Sequence, residues 1–499
     1  MKKFKIFPLI LIICLIMVMA TPSAFALDEP DINAKAAVLV DLDSGKILYG
    51  HNQDQQRAPA SLTKIMTVLL TLEAVDSGRI SLSDIVTAQD DCRVGMADDS
   101  STSFIMPGDQ VSVRELLYCC LLQSANEGCN ILGRYIGGSI AGFVEMMNQK
   151  AADLGCVNTH FMNTNGLTAE GHYSSAYDMS LMFRACMKHP LFMDICNTTI
   201  YYPEAACVNG GEPMNNSNAL INITSIYSNG GKYLYEGATG GKTGYTNAAG
   251  YCLVTTAERE GVHVLAVVMG CDGALNAGIE DYYNFIDSGV LYDWAFDNFS
   301  YRSVLSQSEV MSRLEVALAE ADSLAMLRPA SDLKVLVPNE TPEEAISREV
   351  VIYDQNLKAP LAAGTVLGEV RVSVDGEHVN TVKLVNSSNI ELSRSAFLKA
   401  SLAELFSKGW VIALLSIVLV FAVIYIALVT RYRKLRRRHL QERKRAEQRR
   451  RAEREQLYRS SRAYETLEPS QRFAPMDDDF DEFFDDGGEF DGDGDGDGE

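Results

Sequence analysis

The sequence predicts an α/β domain on an antiparallel sheet flanked by helices, then a small β-rich domain and one transmembrane helix. Three observations lead there. Strand patterns lie at both ends of one segment: Ala37-Val-Leu-Val-Asp41 and Lys46-Ile-Leu-Tyr49 around Asp43-Ser-Gly45, and, far downstream, Tyr251-Cys-Leu-Val-Thr-Thr256 with Val262-His-Val-Leu-Ala-Val-Val268. Helical apolar spacing fills the stretch between them. Beyond residue 303 short strands take over, and residues 410–430 carry no charge.

Taken in order, residues 1–26 read as a signal peptide. Lys2, Lys3 and Lys5 precede an apolar run, and Ala24-Phe25-Ala26 offers small residues for cleavage. Residues 30–298 then form the main domain. Pro59 stands just before Ser61, and Leu62, Ile65, Met66, Leu69 and Leu70 recur at helical spacing, which puts Ser61 at the start of a buried helix. Further helical patterns cover 112–136, 139–154 and 176–188, and a helix over 279–296 closes the domain. The β-rich domain spans 303–390, with strands at 333–337, 349–353, 366–374 and 379–385 and a hairpin turn at Asp375-Gly376.

An amphipathic segment follows at 395–409, where Phe397, Leu398, Leu402, Leu405 and Phe406 share a helical face suited to a membrane surface. Residues 410–430 suffice to cross a hydrocarbon core of about 30 Å. The next 24 residues hold 13 Lys/Arg against Glu442, Glu447 and Glu453, which marks that side as cytoplasmic and the body as extracytoplasmic in a single-pass cell-membrane protein. The last 24 residues hold 13 carboxylates and no Lys or Arg, so 431–499 reads as a basic-then-acidic disordered cytoplasmic tail. The tail suggests a cytoplasmic partner.

The net charge is −22, and it resides in the body, which disfavours nucleic acid as a partner. Of 11 Cys, Cys14 lies in the signal and ten lie in the main domain. The domain is large enough to fold without staples, so buried thiols are favoured, with a disulfide framework left open. No Cys or His spacing suggests a metal, and no cofactor is expected.

The chemistry rests on three strings in one order. In Ser61-Leu-Thr-Lys64 the hydroxyl and the amine lie one helical turn apart, and burial of Lys64 would leave it neutral enough to take the serine proton. In Ser124-Ala-Asn126, after the apolar Leu121-Leu-Gln, Ser124 can relay a proton to a leaving amine and Asn126 can hold a substrate peptide. In Gly240-Gly-Lys-Thr-Gly-Tyr245, Lys242 and Thr243 can bind a carboxylate, while Gly244 lets a peptide approach the strand. A phosphate loop would need Gly at position 236, which is Glu. Each string alone is weak; their order and an export signal make them one serine acyl-transfer site.

On these residues the chain resembles the low-molecular-mass penicillin-binding proteins, D-alanyl-D-alanine carboxypeptidases of serine peptidase family S11. The likeness extends to Ala58-Pro-Ala-Ser-Leu-Thr-Lys-Ile-Met-Thr67, Ser124-Ala-Asn-Glu127, Asn163-Thr-Asn-Gly-Leu167, His172-Tyr-Ser-Ser-Ala-Tyr-Asp178, Lys242 through Cys252, and Ala359-Pro-Leu-Ala-Ala-Gly364. It covers about residues 30–390. The resemblance implies a penicillin-binding/β-lactamase-like catalytic domain. Ser61 would attack the carbonyl between the terminal D-alanines of a peptidoglycan stem peptide, Lys64 would be the base and Ser124 the proton shuttle. Lys242 and Thr243 would bind the carboxylate, and the amides of Ser61 and Tyr245 would form the oxyanion hole. Penicillin would leave a slowly hydrolysed ester on Ser61.

Three other readings compete. A class A β-lactamase needs a deacylating Glu, for which Glu212-Pro-Met-Asn-Asn216 is available, although Ser-Ala-Asn replaces Ser-Asp-Asn. A D,D-endopeptidase would use the same chemistry. A non-turnover penicillin-binding scaffold would act through its tail and β domain.

Overall fold

A computed structural model describes residues 27–274, 280–320 and 323–464. The signal peptide and the acidic terminus lie outside the described residues, as does the first residue of the helix expected at 279–296.

Five antiparallel strands build the main sheet: β1 (Ala36–Asp41), β2 (Ile47–His51), β3 (Ala238–Thr246), β4 (Gly250–Arg259) and β5 (Val262–Cys271), in the spatial order β2-β1-β5-β4-β3. The first strand thus lies beside the last, with Val38 opposite Val267. Both faces are covered, which is why these strands read as near-continuous apolar runs rather than alternating ones. Val38, Val40, Val254, Leu265 and Val267 point into one core, and Leu39, Leu253, Val264, Ala266 and Val268 into another.

The first core is closed by α1 (Lys64–Asp76), α2 (Val113–Tyr118), α3 (Asn126–Gly137), α4 (Ile140–Asp153), α5 (Ala176–Cys186) and α6 (Pro190–Cys196). Serine side chains cap three of them: Ser112 accepts from the Glu115 amide, Ser139 from Gly142 and Ser175 from Asp178. The second core is closed by α7 (Tyr283–Asn298), through Phe285, Leu291 and Tyr292.

The pattern expected as helical over 112–136 is broken in the middle. After α2 a wide turn covers Cys119–Gln123, and Ser124 adopts a left-handed conformation (φ 59°, ψ 30°) before α3 begins. Apolar spacing continues across the break because both halves face one core, so periodicity alone does not reveal it. Helix α6, opened by Pro190, is too short for its spacing to register.

The β-rich domain has a six-stranded sheet in the order Ile346–Ile352, Val366–Val374, Glu377–Asn386, Leu324–Pro329, Ser312–Ala317, Leu357–Lys358. A separate pair joins Phe299–Leu305 to Leu333–Pro338. Asp375 and Gly376 both have positive φ, as a two-residue hairpin requires. The strands at 299–305, 312–317, 324–329 and 357–358 were not legible: they are short and interrupted by polar residues.

The described residues of the C-terminal unit include a helix over Arg394–Ser407 and a second over Gly409–Tyr464. The latter contains a stretch long and apolar enough to cross a membrane, with mean hydropathy 3.1 in its most apolar window. The disordered tail expected from 431 is corrected here: the basic stretch is helical to Tyr464. No Pro or Gly interrupts residues 410–464, and Arg, Glu, Gln, Ala and Leu, all strong helix formers, dominate the distal half.

Candidate active site

A short 3-10 turn, Ala60–Thr63, leads directly into α1, so Ser61 and Lys64 stand one turn apart at a helix N-terminus. Lys64 is fully buried. Its Nζ lies 2.8 Å from Ser61 Oγ, and it donates to Asn126 Oδ1 at 2.9 Å and to the Asn165 carbonyl at 2.7 Å. Burial pushes the amine below the ordinary lysine value, against smaller upward influences from Cys129, Cys120 and Glu127. A neutral amine has two N–H donors for Asn126 and Asn165 and a lone pair left for the serine proton.

The loop carrying Asn165 is pinned from both sides. Asn163 Oδ1 accepts from the Gly166 amide at 2.7 Å, and Thr164 Oγ1 donates to Asn130 Oδ1 on α3 at 2.6 Å. Gly166 has φ 90°, and a Cβ there would fall 1.8 Å from the Ala60 carbonyl, so only glycine lets this loop seat against the nucleophile turn. Beneath it, His172 Nδ1 accepts from the Met162 amide, leaving Nε2–H to donate to Thr63 Oγ1 at 2.8 Å. Burial pushes His172 down to about 4 and keeps it neutral.

The opposite wall holds the second serine and the second lysine. Lys242 on β3 is fully buried and donates to Ser124 Oγ at 3.0 Å and to the Thr243 carbonyl at 2.8 Å. Burial, and secondarily the positive charge of Lys64, push Lys242 down to about 7. Thr243 Oγ1 lies 2.6 Å from Ser217 Oγ. A Cβ on Gly244 would stand 3.2 Å from the Pro59 carbonyl and the Ser61 and Leu62 amides, so this strand passes close behind the nucleophile turn.

These residues form a two-part network: Ser61, Lys64 and Asn126 on one side, and Ser124, Lys242 and Thr243 on the other, near enough for the charge of Lys64 to act on Lys242, while Gly244 backs the nucleophile turn. Asn126 is tied into the site itself: its Oδ1 serves Lys64, and its Nδ2 donates to the Ser101 carbonyl at 3.0 Å. The Tyr245 hydroxyl donates to Asn247 Oδ1, and its ring packs on Tyr251, so its side chain is engaged outside the network. Asn165, Ser217 and His172 escaped the reading by motif chemistry because they act through a carbonyl, a loop hydroxyl and a buried imidazole. Glu127 also joins: Oε1 accepts from Thr102 Oγ1 and the Ser103 amide, fixing the strand of chain that Asn126 grips. Glu212 is exposed, and its carboxylate has no hydrogen bond to these residues.

The ten described cysteines are free, and all but Cys207 are buried. Among the described residues no group of His, Cys, Asp or Glu is arranged to hold a metal.

Residues 23–273 match the D-alanyl-D-alanine carboxypeptidase family, peptidase S11. The chain belongs to that family. Residues 299–392 of this S11 chain match the C-terminal domain of penicillin-binding protein 5. D-alanyl-D-alanine carboxypeptidase DacF of Bacillus subtilis is 32% identical over 378 residues, covering 74% of the S11 chain and 90% of DacF. DacA of Escherichia coli K12 is 32% identical over 359 residues, covering 71% and 83%. The solved structure of a peptidoglycan synthesis regulatory factor, PBP3, from Streptococcus pneumoniae superimposes with a TM-score of 0.59 at 26% identity, covering 72% of this chain and all of that one. The terminal helix lies beyond both matched family regions.

Proposed function

We propose that Ser61 is the nucleophile, Lys64 its base and Ser124 the proton relay of this S11 peptidase. The chain is a serine-type D-alanyl-D-alanine carboxypeptidase that trims peptidoglycan stem peptides and binds penicillin covalently. Neutral Lys64 takes the Ser61 proton as Oγ attacks the carbonyl between the two D-alanines. The amides of Ser61 and Tyr245 receive the oxyanion, each such contact being worth about 3–4 kcal/mol. The C–N bond breaks, the proton passes through Ser124 to the departing amine, and terminal D-alanine leaves. Water then cleaves the Ser61 ester. Lys242 and Thr243 hold the terminal carboxylate, and in penicillin the ring carboxylate takes that place.

The observation carrying this reading is the buried Lys64 amine, 2.8 Å from Ser61 Oγ with its two other partners fixed. Exposed Glu212 lends no support to a β-lactamase. The apolar span anchors the protein in a membrane. The basic flank supports a body outside and a tail inside.

Release of D-alanine from a Lys-D-Ala-D-Ala peptide by the full chain in detergent tests the assignment. The wild type releases it, and Ser61→Ala does not. Release by Ser61→Ala at the wild-type rate would overturn it.

A further inference from the structure

The helix that continues past the apolar span begins with a dense polycation. Residues 431–454 carry 13 Lys/Arg against three Glu. Their side chains are exposed, and among the described residues the one ion pair in this stretch is His439 with Glu442. The cations fall in groups at 431–434, 436–438, 443–445 and 449–451, and at 100° per residue these groups point to every side of the helix. No flat surface reaches them all.

The helix is continuous from the span, and this limits what a bilayer can neutralise. At 1.5 Å per residue, Arg449 lies roughly 30 Å beyond residue 430. Charges are screened over about 8 Å at physiological salt. Headgroups at the end of the span therefore reach the first turns and leave the distal clusters unmatched.

The same chain supplies the complementary charge. Residues 476–499 hold 13 carboxylates and no cation, against a net +10 on 431–454. The 11 residues 465–475 join helix to acidic segment. Extended, they reach up to roughly 38 Å, whereas returning from Tyr464 to Arg454 takes about 15 Å. A tether of that length holds the acidic segment at about millimolar effective concentration. A segment of 24 residues is also long enough to wrap around a cylinder, as the all-round distribution of cations requires. Phe480, Phe483, Phe484 and Phe490 lie among the carboxylates and offer faces to a helix rich in guanidinium groups.

We propose that residues 476–499 dock on the basic helix 431–454 of the same chain and mask it from other polyanions. The contact is electrostatic, so salt releases it.

The test is energy transfer between dyes on Leu440→Cys and Phe490→Cys in the full chain, with Cys207, the one described thiol not buried, changed to Ser. The protein is held in phosphatidylcholine nanodiscs. Transfer is expected to be about twofold or more above that of a variant whose 13 terminal carboxylates are amides, and to fall to that variant's level between about 0.05 and 0.5 M salt. It should persist when one lipid in about five is phosphatidylglycerol, given the short screening length. Equal transfer in the two proteins at low salt would overturn the proposal. Loss of transfer in the anionic discs would overturn it too, and assign the helix to lipid headgroups.

Discussion

Lys64 Nζ stands 2.8 Å from Ser61 Oγ, and its two remaining partners, Asn126 Oδ1 and the Asn165 carbonyl, are both acceptors. The geometry serves both protonation states. An ammonium donates to all three oxygens, whereas the neutral amine keeps two donations and has a lone pair free for the serine proton. Burial favours the neutral form.

A guanidinium cannot perform that step, because it stays protonated. Lys64→Arg should lower kcat for D-alanine release by roughly 10²–10⁴-fold. Steady-state kinetics checks this; retention of a tenth of wild-type kcat would argue for another base.

The two lysines have opposite protonation requirements. In the proposed mechanism Lys64 works when neutral, so its contribution rises with pH, whereas Lys242 works when charged, and burial holds it at about 7. The pH profile of kcat/KM should be bell-shaped, with an alkaline limb expressed mainly in KM. Lys242→Arg, always charged, should flatten that limb. A limb unchanged in this variant would detach it from Lys242.

Much of this site was legible because three strings carry their own chemistry at fixed spacing. Ser61 and Lys64 share one turn of helix, and the Lys242-Thr-Gly244 strand follows from its glycines and the hairpin after it. Ser124 was read correctly as leaving a helix, but not as a left-handed break between two helices, since Leu121, Leu122 and Ile131 keep the apolar period running through it. The bond from Asn126 to Lys64 was not legible, because sequence shows an amide but not which neighbour uses it. Asn165 works through its carbonyl, which every residue has. The basic stretch after the span was read from charge alone, although its helix-forming residues predict the helix observed.

Burying Lys242 destabilises the fold. The unfolded chain binds its proton at an ordinary 10.5 and the folded one at about 7. Stability therefore rises with pH between those values. At about 1.4 kcal/mol per unit the penalty below pH 7 is several kcal/mol, less the hydrogen bonds made. Lys242→Met should raise Tm by several degrees at pH 6, with a smaller gain toward pH 10, while abolishing release. Thermal unfolding at the two pH values checks this, and a lower Tm at pH 6 would contradict it.

The hydroxyl of Ser217, 2.6 Å from Thr243 Oγ1, orients a proposed carboxylate ligand. Ser217→Ala should cost about 1 kcal/mol, roughly fivefold, in KM with kcat little changed. Ser217→Thr should restore it. A loss confined to kcat would place Ser217 in the chemical step instead.

Gly244 tests the close approach of β3 to the nucleophile turn. An alanine Cβ would meet the Pro59 carbonyl and the Ser61 amide at 3.2 Å, so strand or turn must shift by a few tenths of an ångström. Gly244→Ala should slow penicillin acylation by roughly tenfold or more while Tm falls only slightly. Stopped-flow acylation and unfolding, measured together, separate the two effects.

The central claim is that Ser61 is acylated. Intact mass of the full chain after benzylpenicillin, with peptide mapping of the adduct, tests it most directly. One penicilloyl group on the peptide containing Ser61, absent from Ser61→Ala, is the predicted result. An adduct on another residue, or the same adduct in Ser61→Ala, would contradict the account.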